Sequence, residues 1–344
     1  MPPRKIKPTI QPSVTENPLE SAEPVITSTS VKRKRSTKKQ TPADSDSAKM
    51  TSSHIINSVS ESVAIATFTN IKVISAIFRL FAEVVGDGNM KFTQQGISMS
   101  GMDASHVSFV RTLITSDTMI YRPSTLTQVA GVPYKVLYKI LAAFQNAATI
   151  TLKMGEIRDK MVIIIDTDNG SMSEFQVSLM NIDAEELEVP EDVEYKAEIS
   201  VATSTLKEYI SQVEKLEADS FTLKHTGKEF RITYSNTHLT GDVCIMSSKD
   251  TEHKPVSVMI STKYGKMFYS GGHYGETTIV KLGQDIPMVF KTPLETMSNE
   301  LSSESYVEMY IAPKVNDDDD VEERSGVDAV DDDDEMTMNE NIRY

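Results

Sequence analysis

The residues able to do chemistry are few, and their spacing is poor for catalysis. Ser105 and His106 are adjacent in the chain. A nucleophile and its base must instead meet through space, and no G-x-S-x-G elbow accompanies this pair. Asp166-Thr167-Asp168-Asn169-Gly170 opens like an acidic calcium loop but lacks the later ligands and the closing Glu, so it reads as a turn. The six histidines, at 54, 106, 225, 238, 253 and 273, fall in no metal-ligand spacing, and the single cysteine, Cys244, excludes an intramolecular disulfide or a cysteine-based zinc site. The aspartate runs 317–320 and 331–334 read as solvated tail. The expectation is a protein that is not an enzyme and holds no metal or cofactor.

What remains is a set of cations at helical spacing. Four predicted helices each place basic residues opposite an apolar stripe: Lys72 and Arg79, with Ser75 and Ala76 between them; Lys135 and Lys139; Lys207, beside Ser211; and Lys263 and Lys266. The third of these helices also carries Glu208, Glu214 and Lys215. Flexible Lys and Arg at loose spacing suffice for sequence-independent contact with duplex phosphates. Ordinary solvated helix surface would look similar for any one helix. No base-reading element, zinc finger or aromatic stacking platform is visible.

The elements that carry these cations form an internal repeat. Asn70–Val85 has apolar residues at 71, 74, 77, 78, 81 and 85 and is stopped by Gly86-Asp87-Gly88; the spacing predicts a helix. Strands Met90–Thr93 and Gly96–Ser100 follow around a turn at Gln94-Gln95. Further along, Ser204–Leu216 repeats the helix, and Ser220–His225 and Phe230–Ser235 repeat the strands around Thr226-Gly227. A second helix, Pro133–Gln145, has its counterpart in Ser261–Tyr269. Strand-rich segments follow each: Ala148–Lys153 and Met161–Ile165, then Thr277–Leu282, Pro287–Lys291 and Tyr306–Ala312. The pattern predicts an α+β layer architecture of two similar halves.

The chain has 344 residues and a formal net charge of −15, unevenly spread. Residues 1–55 carry +5, residues 316–344 carry −11, and the middle carries −9. The domain reading is a disordered basic tail over 1–60, one half over 61–178, a connector over 179–196, a second half over 197–315, and a disordered acidic tail over 316–344. The connector is acidic and contains Pro190, so it reads as exposed and extended. No stretch is apolar and long enough for a transmembrane helix, and the N-terminus lacks the apolar run of a secretory signal. The expectation is a soluble intracellular protein with no membrane partner. Lys32 to Lys39 holds six basic residues in eight. It reads as a nuclear-import signal, with a nucleic-acid arm or a solubilising tail as alternatives.

Three motifs then carry a family resemblance. Gly96–Val110 (GISMSGMDASHVSFV), Leu179–Glu191 (LMNIDAEELEVPE) and Tyr310–Val315 (YIAPKV) resemble the signature strand, connector and carboxy-terminal motif of the proliferating cell nuclear antigen family, the eukaryotic and viral sliding clamps. Gly131–Leu141 (GVPYKVLYKIL) resembles that family's second helix. The resemblance is colinear from about 64 to 315. Departures include Gly101, Ala104, Asn181, Glu188 and the Ser75-Ala76 pair that stands where the family has Lys-Lys. The long tails and this divergence resemble a large DNA virus or a divergent protist more than an animal or yeast.

The resemblance implies a DNA polymerase processivity factor with a sliding-clamp fold. Each half would supply two helices that line a channel, with antiparallel sheets outside, and three copies would close into a ring around double-stranded DNA. Lys72, Arg79, Lys135, Lys139, Lys207, Lys263 and Lys266 would face the DNA. Subunits would join by pairing Met161–Ile165 of one copy with Gly241–Met246 of the next. A peptide with a Gln anchor, an aliphatic residue and two aromatics would dock under the connector. Its pocket would draw Met102, His106, Val107 and Phe109 from the signature, Leu187, Val189 and Pro190 from the connector, and Pro287, Tyr310, Ala312 and Pro313 from the second half. Such peptides would belong to a DNA polymerase, a clamp loader and other replication and repair proteins. The location implied is the nucleus, or a cytoplasmic replication site if the source is viral. Alternatives are a subunit of a heterotrimeric checkpoint-type clamp and a clamp-like nuclear scaffold.

Overall fold

The computed structural model describes residues 62–314, apart from 124–125, 156–158, 184–186, 188, 190–192, 246–253 and 299. The basic stretch 32–39, the acidic tail and Pro190 therefore lie outside the described residues.

The chain order repeats. The first half runs β1 (Ser62–Phe68), α1 (Ile71–Val84), β2 (Asp87–Phe92), β3 (Gly96–Met102), β4 (Ser108–Thr115), the short β5 (Ile120–Arg122), β6 (Gln128–Pro133), α2 (Tyr134–Ala143), β7 (Ala147–Gly155), β8 (Lys160–Thr167) and β9 (Met172–Ser178). The second runs β10 (Ala197–Ala202), α3 (Thr203–Lys215), β11 (Ser220–His225), β12 (Phe230–Ser235), β13 (Thr240–Ile245), β14 (Val256–Ser261), α4 (Thr262–Ser270), β15 (Thr277–Leu282), β16 (Met288–Glu295) and β17 (Leu301–Ile311). Apart from β5, each half is a strand and helix followed by three strands, and then the same again. All four predicted helices are present.

Three antiparallel sheets back the helices, in the orders β5-β1-β7-β8-β9, β10-β15-β16-β17-β4-β3-β2-β6 and β13-β12-β11-β14. The eight-stranded sheet joins the two halves, because β17 pairs directly with β4 (Met309 opposite Val110). The helices form one layer in which α2 packs on α1, α1 on α4, and α4 on α3. Between layers lie large fully buried side chains, among them Phe78, Phe81, Tyr134, Phe268, Tyr274 and Phe290. Each such side chain contributes about 1.5–3 kcal/mol on leaving water.

The position of α1 corrects one expectation. Ser75 and Ala76, expected on its exposed face, are 5% and 2% exposed. The helix has neighbours on both sides. Gln145 Nε2 donates to Ser75 Oγ at 3.0 Å, and a Cβ on Gly271 would lie 2.7 Å from the Ala76 carbonyl oxygen. Small residues at 75 and 76 are therefore what lets the neighbouring backbone close over α1.

A second correction concerns the subunit joint. The strand holding Met161–Ile165, β8, is internal, pairing with β7 on one side and β9 on the other. Its continuous apolar run is that of a strand covered on both faces, not of an open edge. The edges of this sheet are the three-residue β5 and the longer β9, with its alternating exposure. On the other side of the expected joint, β13 (Thr240–Ile245) is one edge of the four-stranded sheet.

Candidate functional site: a cationic helix face and a groove beneath the connector

The first site is the solvent side of the helix layer. Asn70 caps α1 by accepting from Val73 N at 3.3 Å. Burial of Ile74, Ile77, Phe78 and Phe81 leaves Lys72 exposed and Arg79 half-buried. In α2, burial of Tyr134, Leu137 and Leu141 turns Lys135 and Lys139 outward; in α3, burial of Leu206, Ile210 and Val213 does the same for Lys207. Lys263 and Lys266 are exposed on α4.

These seven cations are not equivalent. Arg79 is bound to Glu83 at 2.9 Å and lies 5.9 Å from the Tyr138 ring centroid. Lys266 is paired with Glu214 of α3. Lys263 lies over the Tyr264 ring at 5.0 Å. Lys72, Lys135, Lys139 and Lys207 have no acidic partner among the described residues. A phosphate approaching this face would meet those four unpaired, with Glu214 near Lys207 lining a shared pocket.

The second site is a groove of about 490 Å³ on the opposite, outer face of the eight-stranded sheet. Its floor comes from β2, β3 and β4, and its lining includes Val85, Met102, Phe109, Arg111, Leu113 and Tyr306. Ile182 and Leu187 of the connector line it as well. The connector is tied at its start, where Met180 N donates to Gly131 O at 2.8 Å and Asn89 Nδ2 to Ile182 O at 3.1 Å. Beyond, Leu187 is 47% exposed, an apolar side chain with room for a partner.

Of the expected pocket residues, Met102, Phe109 and Leu187 meet in this groove. Tyr310 adjoins it, its ring centroid 5.9 Å from that of Phe109. His106, Val107, Pro287, Ala312 and Pro313 do not line it. They form a neighbouring surface, in which Ala312 N donates to Val107 O at 2.9 Å and Pro287 precedes Met288, the partner of Ile311. Val189 is half-buried, with no contact to the groove. Sequence reasoning missed Arg111, Tyr306, Val129 and Ile182. The available signal was register, because Arg111 lies two residues from Phe109 on the same face of β4.

The signature loop is built by an acid. Asp103, 6% exposed, accepts from Ser105 N at 3.1 Å, Val107 N at 2.9 Å and Ser108 N at 2.7 Å. The hydroxyl of Tyr264 on α4 also donates to it at 3.1 Å. Burial alone would raise the Asp103 pKa, but these donors favour the carboxylate and leave it below its ordinary value. The turn places His106 at φ 57 and exposes it. Ser105 and His106 share no hydrogen bond, so their adjacency serves the turn.

Beside the groove lies a charged cluster. Glu308, 3% exposed, accepts from Arg111 Nε at 2.6 Å, Lys291 Nζ at 2.7 Å and Tyr310 Oη at 3.0 Å. Burial would raise the Glu308 pKa; Lys291 and Arg111 outweigh it and hold the carboxyl below its ordinary value. The Arg111 guanidinium stands over the Tyr306 and Tyr310 rings, at 5.7 and 5.4 Å from their centroids. Among the described residues no group of three or more His, Cys, Asp or Glu is placed to hold a metal ion.

Comparisons with known proteins agree with this architecture. Residues 64–187 match the family model described as proliferating cell nuclear antigen, N-terminal domain. The chain is 25% identical over 256 residues to proliferating cell nuclear antigen 2 of Plasmodium falciparum, covering 70% of this chain and 95% of the relative. It is 26% identical over 258 residues to proliferating cell nuclear antigen of Chaetomium thermophilum, covering 72% and 95%. The crystal structure of the Entamoeba histolytica proliferating cellular nuclear antigen superposes with a TM-score of 0.65 at 21% identity, over 74% of this chain and all of that one. With its repeated halves, single helix layer and outer antiparallel sheets, the chain is a sliding clamp like proliferating cell nuclear antigen, a DNA polymerase processivity factor.

Proposed function

We propose that three copies of this chain close head to tail into a ring around duplex DNA, with the helix layer turned inward. The observation that carries the reading is the face bearing Lys72, Lys135, Lys139, Lys207 and Lys263, in a central region whose net charge is −9. Arg79 and Lys266, engaged by Glu83 and Glu214, contribute less. The joint is β9 of one copy added to β13 of the next. This would satisfy two open edges that otherwise invite aggregation, in a heterologous contact that closes after three subunits. A closed ring stays linked to DNA without gripping it, so a few loose phosphate contacts are enough. Each such contact steepens the salt dependence by roughly 0.9 in log–log slope.

Docking is the second part of the proposal. Polymerase, loader and other partners would each present a short peptide to the groove beneath the connector, with an apolar anchor on Met102, Phe109 and Leu187. The chain performs no catalysis of its own in this reading, and the stretch 32–39 would direct it to a nucleus.

The test is Lys139→Glu combined with Lys263→Glu, assayed for stimulation of a polymerase on primed circular DNA. Stimulation should fall at physiological salt while molar mass is unchanged. Unaltered stimulation would contradict the assignment of the helix face.

A further inference from the structure

We propose that Arg111 is a specificity residue of the groove, taking the carboxylate of an acidic side chain on the docking peptide. That side chain would lie two residues, about 7 Å in extended chain, from the apolar residue seated on Phe109 and Met102. This inference rests on the docking reading above and names the chemistry of one further partner position.

The floor of the groove is a ladder. Strand register sets Phe109 against Met102, Arg111 against Ser100, and Leu113 against Ser98, with Ser98 in turn against Lys91. An apolar rung is thus followed by a cationic one at the spacing of alternate residues in an extended peptide. The guanidinium is one-third exposed and fixed from behind: Nε is bound to Glu308, and the Tyr306 and Tyr310 rings lie beneath it. Its Nη1 and Nη2 have no acceptor among the described residues, yet Arg111 lines the groove. Those two donors form the fork that a carboxylate meets side-on.

The charge count agrees. Glu308 is already saturated by Arg111, Lys291 and Tyr310. Two cations thus share one buried carboxylate, and one positive charge is left over on this rung. The opposing charges are Asp87, exposed at the start of β2 and also lining the groove, and the acidic connector, where Asp183 and Glu194 are exposed. Those carboxylates are solvated, so screening weakens them over about 8 Å. A direct contact on a partly desolvated guanidinium outweighs them. The acidic side chain therefore belongs on the floor-facing side of the peptide, and cationic ones on the side facing the connector.

The test uses the full chain and fluorescein-labelled peptides carrying the Gln, aliphatic and paired-aromatic anchors, with Glu, Gln or Lys placed in turn at each remaining position. At one position Glu should bind about tenfold tighter than Gln, and Lys weaker than Gln. Arg111→Gln should erase that preference and leave the Gln peptide unchanged. Because Arg111→Gln strips a partner from buried Glu308, the paired variant Arg111→Gln with Glu308→Gln, checked by thermal melting, should erase it as well. Binding of every peptide without a Glu preference overturns this inference alone. Binding of none overturns the docking reading and this inference with it. A Glu preference that survives both variants assigns the anion to another group and overturns the role of Arg111. A preference that emerges only when aspartates 317–320 and 331–334 are replaced by asparagine overturns the peptide as occupant and points to the chain's own tail.

Discussion

At the scale of the residue, the acids that matter here organise loops and sheets. Asp103 is the clearest case. Its carboxylate replaces water for three backbone N–H groups in a loop too tight to pair them otherwise, and the Tyr264 hydroxyl links that loop to α4. Hydrogen bonds to a charged acceptor are worth about 1.5–3 kcal/mol each, and an amide in its place keeps only part of that. Asp103→Asn should therefore cost about 1–2 kcal/mol at pH 7 in urea unfolding. The sign of its pH dependence follows from the depressed pKa. The charge stabilises the folded chain above the ordinary carboxylate value of 3.8, and that contribution is lost as pH falls through the lower folded value. The gap between wild type and Asp103→Asn should shrink at strongly acidic pH. A gap independent of pH would mean the loop does not use the charge.

At the scale of the element, the connector is held at its start by close approach. Gly131 on β6 faces Met180, and a Cβ there would fall 2.2 Å from the Met180 carbonyl oxygen. No side chain can give way, because the obstacle is backbone. Gly131→Ala should shift residues 180–182, speed amide exchange at Met180 and weaken peptide binding several-fold, with the helix layer unchanged. Unaltered exchange at Met180 would mean that the bridge does not anchor the connector.

The same scale explains what could be read from the chain alone. The four helices and most strands followed from apolar spacing, with ends within a few residues: Asn70–Val85 against Ile71–Val84, and Ser220–His225 without change. Two features did not follow. Ser75 and Ala76 look like surface from the α1 pattern, and only the packing of α2 and α4 on both sides buries them. The run at 161–165 looks like an apolar edge, whereas β9, with Met172, Glu174 and Gln176 exposed, is an edge and carries a weak apolar signal. In the groove, Met102, Phe109 and Leu187 came from the family resemblance. Arg111 and Tyr306 stayed hidden because they meet across the pairing of β4 with β17, far apart in sequence.

At the scale of the whole molecule, a net charge of −15 and a DNA-linked function are compatible once charge is assigned to faces. Lys72, Lys135, Lys139 and Lys207 are exposed on the helix layer, while Asp87 and Glu174 on the sheets and Asp183 and Glu194 on the connector are exposed on other faces. An acidic exterior steers a polyanion away from every surface except the inner one. This holds only if the inner surface closes into a ring, with β9 and β13 as the joint. Light scattering of the full chain in solution measures that directly. The account predicts a molar mass of three times 38.2 kDa, unchanged by Lys139→Glu with Lys263→Glu. A stable species of 38.2 kDa at micromolar concentration would contradict it.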